Sequence, residues 1–165
     1  MHKNLVIIAC SIFKAELELL KETGKINVPV IYLNSMLHMY PKKLQEVLDE
    51  IIRENNYLKI ILAFGDCHAR MVDYEENKNI VRTPGINCCE IFLGSARYRK
   101  IRNEGAFILL PEWANRYKEI DSQLLNEISE FVGLPLEIHN SSISELENTI
   151  VKLTNKHQNP DNDGK

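Results

Sequence analysis

The chain has 165 residues, 44% of them apolar, a formal net charge of -3 and a pI near 6.0. That length buries a core without disulfide staples, and the mild acidity gives no general attraction to phosphate backbones or anionic lipid. No nucleic acid and no membrane are therefore expected as partners.

No apolar run approaches the roughly 20 residues needed to span a bilayer. The first apolar stretch, Leu5 to Cys10, is too short for a signal-peptide core of about 7–15 residues. The expected compartment is the cytoplasm, where thiols stay reduced. The cysteines are accordingly read as free.

Leu5 to Cys10 is a continuous apolar run, the pattern of a strand buried on both faces. Ser11 is placed to cap the next segment, where Phe13, Leu17 and Leu20 recur at helical spacing until Thr23-Gly24 stops it. Val28 to Leu33 reads as a second strand, with Pro29 marking its start or an edge position. A loop from Asn34 to Tyr40 carries His38. Pro41 then opens a helix striped by Leu44, Val47, Leu48, Ile51 and Ile52.

Leu58 to Phe64 is the third predicted strand, followed by the loop Gly65-Asp66-Cys67-His68. Two successive βα units and a third strand predict a right-handed parallel sheet. Ile80 to Thr83 is a short strand ended by Pro84-Gly85, and Asn87 caps a helix that opens with Cys88-Cys89.

Gly94-Ser95 separates that helix from another over Ala96 to Asn103. Gly105 to Leu110 and Leu134 to Ile138 read as strands, and Asp121 to Val132 and Ser142 to Asn155 as helices. The fold class expected is α/β: a single domain over 1–155, with a mainly parallel sheet flanked by helices in a Rossmann-like three-layer arrangement. Residues 156–165, which hold no aliphatic or aromatic side chain, are expected to form a disordered polar tail.

In an open α/β sheet, ligands bind outside the carboxyl ends of the strands. Cys10, Cys67 and Cys88 fall just past predicted strand ends or in the first turn of the next helix, and His38 sits in the loop after the second strand. Three cysteines and one histidine form a common tetrahedral zinc set, so these four are the candidate ligands of zinc or another soft-ligand metal ion. Zinc-finger spacing is absent, and the expectation rests on where the strands end.

Each residue also has a plain alternative. Unpaired cysteine is among the most buried residue types, and a histidine in a loop often only hydrogen-bonds. Cys89 reads as core packing, Glu16 as solvent-facing, and Trp113 as either a pocket wall or core.

A second candidate is the Gly94-Ser95 turn with Arg97, Arg99, Lys100 and Arg102 behind it. Ser95 and Arg97 are its proposed contacts to an anionic cofactor or metabolite, against the plainer reading of a solvated basic face. That site would suit a non-catalytic accessory protein. A third option is a Cys67 nucleophile activated by a histidine.

These residues resemble an uncharacterised family catalogued as domain of unknown function 1638, over roughly Leu5 to Trp113. The likeness is carried by Ala9-Cys10 with Glu16, Leu37-His38 with Pro41, Gly65-x-Cys67, Cys88 six residues before Gly94-Ser95, then Tyr98 and Trp113. Two departures stand out. His68 replaces a glycine that often follows the cysteine at 67, which would add an imidazole to the site. Asn87 replaces an aspartate common before the cysteine at 88. The resemblance implies a role beside anaerobic one-carbon and corrinoid metabolism, with a small-molecule or corrinoid-pathway partner, and it supplies no reaction.

Overall fold

The computed structural model of the chain describes residues 4–56, 58–105, 108, 110–113 and 145–158. Its sheet has strands β1 (Leu5–Cys10), β2 (Val30–Leu33), β3 (Lys59–Ala63) and β4 (Ile80–Arg82), all parallel, in the order β2-β1-β3-β4. All six residues of β1 are buried, as expected for an inner strand covered on both faces. Ile7, Ile8, Ile61 and Leu62 are fully enclosed, and each such side chain contributes about 1.5–3 kcal/mol. Pro29 lies just before β2, which is an edge of the sheet, and the Pro29 carbonyl accepts from Ile7 N–H at 3.0 Å. A residue without an N–H is tolerated there.

The helices are α1 (Lys14–Glu22), α2 (Pro41–Glu54), α3 (Cys88–Leu93), α4 (Ser95–Asn103) and α5 (Glu145–Gln158). The chain moves one way across the sheet from β1 to β2 and the other way from β2 to β3. Right-handed crossovers therefore put α1 and α2 on opposite faces. α5 packs on α1 and across β1 and β3, which completes a three-layer α/β fold. Leu44 and Leu48 are the buried stripe of α2, and Pro41 stands at its first turn, where a missing N–H does no harm.

Two local expectations change. Ser11 does not cap α1: its hydroxyl accepts from Ser35 N–H at 2.9 Å, and a short 3-10 turn over Ser11–Phe13 precedes the helix. α5 runs on to Gln158, three residues into the stretch read as tail, because Lys156 and His157 suit the negative end of a helix dipole. The helix over 121–132 and the strand over 134–138 fall outside the described residues, as do 106, 107 and 109 of the strand over 105–110. Among the described residues, no helix is long and apolar enough to cross a membrane.

Candidate metal centre

The connections run to opposite sides from β1 and from β3, a topological switch point at whose carboxyl-end edge a crevice forms. Cys10 is the last residue of β1, one step beyond Ala9, which pairs with Ala63 of β3. Beyond β3 the chain passes through Phe64 and Gly65 to Cys67. A side chain on Gly65 could not fit: a Cβ there would stand 2.5 Å from Asn87 Cα and 2.8 Å from the Ile86 carbonyl oxygen. Backbone therefore lies directly on backbone, tied by Asp66 N–H to the Ile86 carbonyl at 2.8 Å. This close approach brings the Cys67 loop beside the start of α3, where Cys88 stands.

Asn87 caps α3. Its side-chain oxygen accepts from Glu90 N–H at 2.9 Å, and Glu90 accepts in return from Ile86 N–H at 3.0 Å, a reciprocal arrangement like a capping box. The Asn87 amide also donates to Tyr98 Oη at 2.9 Å. Asn87 thus acts in the frame that seats Cys88.

His38 arrives on a 3-10 turn over Ser35–Met39, begun by Asn34, which accepts from Met36 N–H. Its Nδ1 donates to the Ser35 carbonyl in a short hydrogen bond. A carbonyl can only accept, so Nδ1 carries a proton, and in the neutral ring the lone pair falls on Nε2. Trp113 stands over the ring at 6.2 Å between centroids.

Cys10, His38, Cys67 and Cys88 line one cavity of about 20 Å³, with Phe13 and Trp113 among its walls. That volume admits an occupant the size of one water or one ion. Among the described residues, no group of three or more Cys, His, Asp or Glu side chains is arranged so that it could hold a metal ion.

The electrostatics couple the three thiols. Burial pushes Cys10 up to about 12, with Cys88, Cys67 and Glu112 adding to the rise against a lowering hydrogen bond at Ile12. Cys67 is pushed up to about 11 by burial and by the charge of Cys88. Cys88 is raised by burial first and by Glu112 as well. Buried thiols that oppose one another's ionisation stay neutral, and a bound divalent cation inverts that balance.

Sequence reasoning missed two participants. Ser35 is only 2% exposed; its N–H is held by Ser11, beside Cys10, and its carbonyl holds His38. Its hydroxyl makes long contacts of 3.3 and 3.4 Å to the two carboxylate oxygens of Glu112. Neither residue has a local signature, since the pair is 77 positions apart in the chain.

Other candidates are not brought to the cavity. His68 is not one of its walls: its Nδ1 accepts from Arg70 N–H at 3.3 Å and its ring meets Tyr74 edge-on at 5.7 Å. His68 therefore adds no imidazole to the site. The raised Cys67 thiol is also the reverse of an activated nucleophile. Glu16 is half-buried rather than solvent-facing; burial and the charge of Glu147 on α5 raise its carboxyl. Cys89 packs against the core.

Ser95 and Arg97 are also absent from the cavity walls. Gly94, at φ 78, takes the cap position of α4, and Ser95 lies inside the first turn with its hydroxyl on the Glu90 carboxylate. A methyl group on Gly94 would stand 3.0 Å from Glu145 Cγ, so α5 already lays an acidic side chain against this turn. Arg97 is exposed.

The family described as protein of unknown function DUF1638 matches residues 32–127, more than half of the chain. The chain belongs to this family. His38, Cys67, Cys88, Ser35 and Glu112 lie within the matched span and Cys10 lies before it, so the family segment and the first strand meet at the cavity. No curated protein and no solved structure matches the chain.

Proposed function

We propose that this chain is a metal-binding α/β protein that holds zinc, or another soft-ligand ion, through Cys10, Cys67 and Cys88 as thiolates and His38 Nε2 as the fourth donor. The observation that carries this reading is the meeting of those four residues, from four chain segments, on one ion-sized cavity. The donor types fit: three sulfurs and one imidazole are a frequent zinc set. So does the held tautomer of His38, since a metal-binding histidine usually gives its other N–H to a carbonyl or carboxylate.

His38 is exposed at the mouth while Cys10 is buried, which makes His38 the donor that an incoming ligand displaces. Three thiolates leave a divalent ion with a net negative charge, and a thiol bound in place of His38 would be held as a reactive thiolate. That chemistry suits thiol or methyl transfer of the kind found in one-carbon and corrinoid metabolism, and it suits the reducing cytoplasm. An anionic metabolite is disfavoured in the same crevice, because Glu112 and any ionised thiol repel it.

The test is metal content after anaerobic purification, with Cys67→Ser alongside. Close to one zinc per chain is expected in the wild type and nearly none in the variant. A wild type that folds normally yet neither carries nor takes up metal contradicts the reading.

A further inference from the structure

A second cavity, of about 290 Å³, lies between α1 and α5 and is lined by Leu20, Lys25, Glu147, Asn148, Val151 and Lys152. Its volume is close to the roughly 300–1,000 Å³ of small-molecule sites. Among the described residues it shares no wall with the thiol cavity. All of its walls lie outside residues 32–127, the span that matches the family. Binding here is independent of the metal reading.

The charges change sign along this groove. Glu16 and Leu20 stand one turn apart and share a face of α1, and Lys25 follows the end of that helix. On α5 the order is Glu147, then Val151 and Lys152. Burial first, and then the charge of Glu147, raises the Glu16 carboxyl, as expected when the acidic groups of both helices lie at one end. Glu16 Oε2 is buried with no hydrogen-bond partner among the described residues, which is costly for a carboxylate unless a cation stands near. Further along, Lys25 and Lys152 are exposed and in no ion pair among the described residues. Leu20, itself buried, and Val151 form the apolar floor between the two ends. Glu147 and Lys152 are separated by about 7.5 Å along the helix axis.

We propose that this groove binds a small ω-amino carboxylate, with its ammonium at Glu16 and Glu147, its carboxylate at Lys25 and Lys152, and its short apolar chain over Leu20 and Val151. Asn148 can donate or accept at either polar end. An α-amino acid holds its two charges too close together to reach both ends. A simple carboxylate or alkylamine satisfies one end and leaves the other unmatched.

The probe is 6-aminohexanoate, titrated calorimetrically into the full chain at neutral pH and low salt, with hexanoate and hexylammonium as single-charge controls. The zwitterion is expected to bind at least about tenfold more tightly than either control, the effect of one added charge-assisted hydrogen bond. Glu16→Gln should weaken 6-aminohexanoate and hexylammonium by a similar factor and leave hexanoate unchanged. Lys152→Ala should weaken 6-aminohexanoate and hexanoate and leave hexylammonium unchanged. Lys152 is exposed, so this variant leaves the core intact.

A wild type that binds no 6-aminohexanoate overturns the inference. Binding no tighter than that of either control overturns it too, as does an affinity that survives both substitutions. Each of these outcomes leaves the metal site untouched, since zinc content tests that reading separately.

Discussion

The carboxyl edge of β1 and β3 and the N-terminal turn of α4 both draw attention in the sequence, and the fold treats them differently. At the strand edge, side chains from four segments converge on one small cavity. At the α4 turn, the residues come from one short stretch, and the chain supplies its own acidic side chains: Ser95 bonds Glu90, and Glu145 lies on Gly94. Convergence from distant segments requires the whole fold to be built around a point. A local run of glycine, serine and arginine requires only a helix start. Long-range convergence is therefore the stronger sign of a ligand site here.

The largest effects that would sharpen this contrast come from paired substitutions. Cys88→Ser is expected to weaken zinc binding by more than about 100-fold, beyond the 10–100-fold typical of losing an outer partner. Arg97→Ala should leave zinc binding unchanged. Competition titration with a chelator measures both, and equal losses would erase the distinction between the two regions.

Gly65→Ala comes next. A methyl group forced against Asn87 Cα and the Ile86 carbonyl must part the two loops. A stability loss of about 1–3 kcal/mol is expected, with zinc binding weakened beyond what the stability change accounts for. Urea unfolding and zinc titration of the same variant separate the two effects. Unimpaired zinc binding would show that the backbone contact does not set the Cys67–Cys88 approach.

The last is a matter of pH. With Cys10 held up to about 12 and Cys67 up to about 11, and Cys88 also raised, all three thiols keep their protons through neutral pH and release them only to the metal. Apparent zinc affinity should therefore rise with pH, by as much as about three decades per unit between pH 6 and 8 for three displaced protons. A slope near zero would mean that thiols are not the ligands.

Much of the frame was legible in the chain. Leu5 to Cys10 and Leu58 to Phe64 are unbroken apolar runs, and such runs between turn residues have few uses other than inner strands. Pro41 and the Leu44/Leu48 spacing fixed α2. Cys10 and Cys67 could be placed because a strand end is a local feature, and parallel strands put their ends on one edge.

What depends on distant contact was not legible. Glu112 meets Ser35 across 77 positions, Ser11 serves a different segment from its own helix, and Gly65 reads in the sequence only as a turn glycine. The role of His68 also went the other way: next to Cys67 along the chain, it turns aside against Tyr74, in a turn-rich loop whose side-chain directions the sequence does not give.

X-ray absorption spectroscopy at the zinc edge, on the anaerobically loaded full chain, most directly tests whether three distant sulfurs and one imidazole surround a single ion. The expected spectrum has about three sulfur neighbours near 2.3 Å and one nitrogen near 2.0–2.1 Å. A shell of only nitrogen and oxygen, or zinc bound in the same way by a chain lacking Cys10, Cys67 and Cys88, would contradict it.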